Sequence, residues 1–169
     1  MRRETSGRII VGVADTLAGL RALRLAVAEA RRRRTVLHAV RVWDYDTSWQ
    51  GTETCFVREM DQQARAEAVA AFAVAMGAVP TDVRVEITTL AGRPGSALVD
   101  HACRDDDLLF VGTSRRSWWR RLFRPSAAEY CAVHASCPVV VVPVDTFAKM
   151  ADSRSQARAI IRDLSAFGG

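Results

Sequence analysis

The sequence predicts an α/β domain: an open, five-stranded, mainly parallel sheet with helices on both faces, followed by a C-terminal helix. Three observations carry this prediction. Five apolar runs of strand length alternate with segments of helical periodicity. The runs at 8–14, 108–111 and 138–144 are short and strongly apolar, as strands buried on both faces should be, and TVLHAVRVW at 35–43 reads as a further strand. The run at 82–89 alternates instead, with Val83, Val85 and Ile87 inward and Arg84 and Glu86 outward, which marks an edge or half-exposed strand.

Taken in order, RIIVGVA at 8–14 is the first strand, closed by Asp15 and Thr16, either of which can cap the helix after it. From Ala18 to Arg33 the pattern turns helical, with Leu20, Leu23, Val27 and Ala30 on one stripe. Arg31 to Arg34 fall at the C-terminal end, where cations complement the helix dipole, so they read as a solvated helix end. TVLHAVRVW at 35–43 is the second strand. Asp44 to Thr54 is a polar connection long enough to lie over a site. A long helix runs from about Phe56 to Met76 on a stripe of Met60, Ala64, Ala68, Ala71 and Ala75, and Gly77 stops it. After the alternating strand, Gly92 to Ser96 turns into a helix with Pro94 near its first position. Leu108 to Val111, a helix at Ala127 to His134, and PVVVVPV at 138–144 complete the domain, which spans residues 1–147. Residues 148–169 read as a helical extension: Ser153 to Gln156 has capping-box spacing, and Ala157, Ile160, Ile161 and Leu164 share one face.

The 169 residues suit one domain, and 49% hydrophobic content supplies a core. No apolar run is long enough to span a membrane, and the start MRRETSGRII lacks the apolar stretch of a signal peptide. The chain therefore reads as cytoplasmic, with its four cysteines reduced. The formal charge of +5 is matched by five arginines between 115 and 124, a stretch without acids. A local cluster of this kind points to a phosphate-bearing ligand or an acidic partner, not to nucleic acid.

The stretch DLLFVGTSRRSWWRRLFRPS at 107–126 reads as a buried strand, a sharp exit at Gly112, an Arg- and Trp-rich loop, and a helix start. In an open α/β sheet such a place binds anionic ligands. GRIIVGVAD, TVLHAVRVW, AGRPGSALVDHACRDDDLLFVGTS and SAAEYCAVHASCPVVVVPV, in this order and spacing, resemble the universal stress protein family over about residues 7–145. The resemblance implies a sheet order of 3-2-1-4-5. It also implies a homodimer through strand five, which would cover Val139, Val140, Val141 and Val142.

The ATP-binding branch of that family carries Gly-x2-Gly-x9-Gly-Ser/Thr after strand four. On this chain the positions are Gly112, Arg115, Pro125 and Ser126, with Thr113 and Arg116 beside them. The spacing is kept, but two of the three glycines are replaced. Glycine there lets backbone approach phosphate without a Cβ, and Pro125 has no N–H to donate. The aspartate that helps hold the nucleoside in that branch aligns with Ala14, leaving Asp15 one place late, while the adenine contact maps to the backbone of Val42. Two readings stand. In one, the module no longer binds ATP in the usual pose and has no cofactor. In the other, Arg115 and Arg116 replace the lost amides and hold ATP, AMP or a cyclic nucleotide in a changed geometry. The resemblance implies a binding or regulatory module and not an enzyme; weak hydrolysis assisted by Asp15 or Ser126 would need a metal and a bound phosphate chain.

Trp118 and Trp119 read as packing residues of the loop or as a lid or partner-docking element. Cys131, His134 and Cys137 offer three ligands without a fourth, so they do not make a zinc site. His38 and His101 read as packed or surface histidines. Asp105, Asp106 and Asp107 read as a solvated turn. No nucleophile elbow, Walker loop or dinucleotide fingerprint is present, so no catalytic residue is assigned.

Overall fold

The computed structural model describes residues 7–43, 54–113 and 126–144. The strands are β1 (Ile9–Gly12), β2 (Leu37–Trp43), β3 (Val85–Ala91), β4 (Leu108–Gly112) and β5 (Val139–Val142). The helices are α1 (Leu17–Arg33), α2 (Thr54–Met76), α3 (Pro94–His101) and α4 (Ala127–His134). The strands form one sheet in the order β3-β2-β1-β4-β5. Every neighbouring pair is parallel, with Ile9 opposite Leu37 and Leu108 at the centre. The expected fold and order are therefore present. The 148–169 extension lies outside the described residues.

The central strands are apolar on both faces because both faces are covered. Ile9 and Val11 point to one side with Leu23, Val27, Ala68 and Phe72 of α1 and α2. Ile10 points to the other with Leu98, Ala128 and Cys131 of α3 and α4. The alanine stripe of α2 is buried at Ala64, Ala68, Ala71 and Ala75, and small side chains let this helix lie close to the sheet. Phe72, also fully buried, fills the volume the alanines leave. It lies four residues after Ala68 and three before Ala75, on the same helix face.

β3 begins at Val85, three residues later than the alternating run at 82–89 suggests. Val83 is nevertheless buried, because the chain approaches the α2 side before pairing begins. As expected of an edge strand, no residue of β3 is fully buried. The α2 residue Arg65 donates to the Ile87 carbonyl on its open side (3.0 Å), a contact that blunts an unpaired edge.

The arginines that end α1 are solvated, as expected. Arg32 and Arg33 pair with Glu29, at 2.7 and 2.5 Å, and Arg31 pairs with Asp82 at 2.6 Å. The aspartate turn differs from expectation. Asp105 is exposed, but Asp107 is buried, with 1% of its surface accessible. It accepts two hydrogen bonds from Arg8, Nε at 2.9 Å and Nη2 at 2.6 Å, and one from the Arg104 N–H at 3.1 Å. Arg8 and Asp107 precede the two central strands, so the pair ties their N-terminal ends together. Burial alone would raise the Asp107 pKa; Arg8 and the Arg104 N–H more than offset it and hold the carboxyl below its ordinary value.

Among the described residues no helix is long and apolar enough to cross a membrane.

Candidate functional site

The strand order reverses between β1 and β4. Their C-terminal ends open beside the start of α1, which is the crevice where open α/β sheets take ligands. Thr16 caps α1, accepting from the Gly19 N–H at 3.0 Å. Gly112 ends β4 against that first turn. A Cβ on Gly112 would sit 2.5 Å from the Ala18 carbonyl carbon and the Gly19 nitrogen. This glycine is required by the packing of strand on helix, whether or not any phosphate is present.

Asp15 follows β1 and is exposed, while Ala14 is half-buried. Val42 is the next-to-last residue of β2 and packs on the α3–α4 side. The Val40 carbonyl accepts from the Val13 N–H across the β1–β2 ladder (2.8 Å). By the two-residue period of a strand, the backbone of Val42 points the same way, past the end of β1 and into the crevice. The Thr113 N–H is used by the sheet, donating to Val142 O at 2.9 Å.

Ser126 is the N-cap of α4 in a reciprocal capping box. Its hydroxyl accepts from the Glu129 N–H at 3.2 Å, and its own N–H donates to Glu129 Oε2 at 2.9 Å. The Ser126 N–H is therefore held by a carboxylate. Glu129 was not among the residues expected here, although Ser126-Ala-Ala-Glu129 shows the spacing plainly. Asp15, Val42, Gly112, Thr113 and Ser126 thus all stand at one end of the sheet. Arg115, Arg116, Trp118, Trp119 and Pro125 lie outside the described residues.

The remaining candidates do not assemble a metal or catalytic centre. Cys131 is buried, its thiol 3.7 Å from the Gly95 carbonyl, and burial pushes its pKa up to about 11. Burial likewise raises that of Cys137. His134 is exposed and stacks on Tyr130 with ring centroids 4.1 Å apart. No group of three metal-binding side chains occurs among the described residues. His38 and His101 are packed against each other at the opposite end of the sheet from the crevice.

The model of the universal stress protein family matches residues 5–143. No curated protein matches the chain in a sequence search. Among solved structures, a universal stress protein in complex with cAMP superposes with a TM-score of 0.54 at 23% identity, covering 83% of this chain and 98% of that one. The universal stress protein UspA of Lactobacillus plantarum gives 0.56 at 24% identity, covering 81% and 97%. The Archaeoglobus fulgidus universal stress protein in complex with dAMP gives 0.51 at 20% identity, covering 80% and 97%. These likenesses establish the fold, and the family match extends over most of the chain: the protein belongs to the universal stress protein family.

Proposed function

We propose that this protein is a cytoplasmic binding or regulatory module that does not hold ATP in the usual family pose. The observation that carries the reading is the capping box at Ser126. A phosphate at the N-terminus of α4 would have to displace the Glu129 carboxylate from the Ser126 N–H. Arg115 and Pro125 in place of glycines support the same conclusion. Each hydrogen bond to a charged phosphate oxygen contributes roughly 1.5–3 kcal/mol. Losing two or three of them is enough to abolish a micromolar site. Without a held phosphate chain, weak nucleotide hydrolysis assisted by Asp15 or Ser126 has no substrate in place.

A second reading is favoured by two observations. Two of the related structures are complexes, one with cAMP and one with dAMP, and the backbone of Val42 faces the crevice. In that reading an adenine nucleotide sits on β2, and Arg115 and Arg116 grip its phosphate in place of the missing amides. Calorimetric titration with ATP, AMP and cAMP, with and without Mg²⁺, separates the two. Heat from AMP or cAMP but not ATP, lost in Arg115→Ala, supports the sensor. Silence from all three supports the nucleotide-independent module.

The module pairs through β5. That strand is the other edge of the sheet, and Val141 is 40% exposed on it, with Val133 of α4 also exposed. An apolar edge of this kind needs cover.

A further inference from the structure

At the end of the sheet opposite the crevice, charged and titratable groups from five segments meet. His38 of β2 lies across the ladder from Glu86 of β3, its Nδ1 3.7 Å from Glu86 Oε2. The rings of His38 and His101 have centroids 5.9 Å apart and are tilted by 57°. His101 is the last residue of α3, and Arg8 donates to its carbonyl at 3.2 Å while also holding Asp107. His101 Nε2 is buried and has no hydrogen-bond partner. The charged groups felt by this pair are Arg8, Arg84, Glu86 and Asp107.

We propose that His38 and His101 form a proton-responsive clasp between α3 and the β2–β3 side of the sheet, and that mild acid releases the C-terminal end of α3. The two rings differ in what a proton does. On His38 it gains a counter-charge, because the Glu86 carboxylate stands 3.7 Å from Nδ1. On His101 it places a charge on a ring whose buried Nε2 has no acceptor, next to Arg8 and a second histidine. The C-terminal end of α3 favours a cation only weakly by comparison.

Burial lowers the pKa of both histidines, and Arg8 lowers both further; Glu86 partly opposes this at His38. The folded protein therefore binds fewer protons than the unfolded chain below the ordinary histidine value of about 6.5. Stability is full above that value and is lost as pH falls through it. For one histidine kept neutral in the fold, the unfolding constant rises by up to about 30-fold between pH 8 and pH 5.

The test combines imidazole NMR titration with urea unfolding from pH 8 to pH 5, and amide exchange over residues 98–107. The expected result is titration of both rings below about 6.5 and an unfolding constant that rises tenfold or more. Amides of 98–107 should open, after correction for intrinsic exchange rates, before those of β1 and β4. His38→Gln/His101→Gln should flatten the profile. Glu86→Gln leaves both rings in place, removes the negative charge beside His38 and should steepen it. His134→Gln, at the exposed histidine, should leave it unchanged. Ordinary titration of both rings overturns the proposal. So does the wild-type slope in the double variant, or uniform opening of the whole domain.

Discussion

Replacing Asp107 by alanine tests the tie between the two central strands. The carboxylate side chain has no accessible surface, whereas the Arg8 side chain keeps 23% of its own. Removing one partner of a buried pair costs about 3–5 kcal/mol, because the other charge is left uncompensated. The partial exposure of Arg8 lets water take some of that load, which sets the expectation at the lower end, about 3 kcal/mol. With a urea m-value of about 2 kcal/mol/M, the midpoint should fall by about 1.5 M. Unfolding should be followed by circular dichroism and tryptophan fluorescence together, so that a lost two-state transition is visible. Arg8→Met/Asp107→Leu should recover most of the loss, since an apolar pair of similar volume leaves no buried charge. In the wild type, this stabilisation is present above the unfolded aspartate value of about 3.9 and fades as pH falls through the lower folded one. A loss below about 0.5 kcal/mol in Asp107→Ala would place the pair among surface ion pairs, with no structural tie between the two strands.

Gly112→Ala should destabilise the fold by about 1–3 kcal/mol, seen as a lower melting temperature in nucleotide-free buffer, because its Cβ meets the α1 backbone; a neutral result would show that the first turn of α1 yields freely. Val141→Glu should halve the mass measured by light scattering, and an unaltered mass would exclude β5 as the seam. Val142 is not a fair probe of that seam, since it is 2% exposed within its own domain.

Strand identity and sheet order were legible because burial on two faces and burial on one leave different patterns. The continuous runs of β1, β4 and β5 against the alternation before Ile87 distinguish centre from edge, apart from the apolar edge strand β5, whose composition matches that of a covered strand. The clasp of Arg8 on Asp107 was hidden because the partners are 99 residues apart, and an aspartate in a run of three carries no local sign of burial. The start of β3 was displaced because alternation records which way side chains point, and Val83 points inward before any ladder forms. At the crevice, the placement of Gly112, Val42 and Asp15 followed from the strand ends. The role of Ser126 did not, although Glu129 three residues on was there to be read. A local hydrogen-bond pair competes for the helix N-terminus, and the spacing of the nucleotide motif conceals it.

Glu129 occupies the N-terminus of α4, and Arg115 and Pro125 stand where the family motif has glycines, so the ATP pose is lost. Equilibrium titration of the wild-type protein with Mg·ATP, beside Arg115→Gly/Pro125→Gly/Glu129→Gln, measures it directly. The wild type should show no saturable binding below about 1 mM, weaker than about −4 kcal/mol, and the repaired variant should gain tenfold or more. Micromolar ATP binding by the wild type, unchanged by the repair, would contradict it.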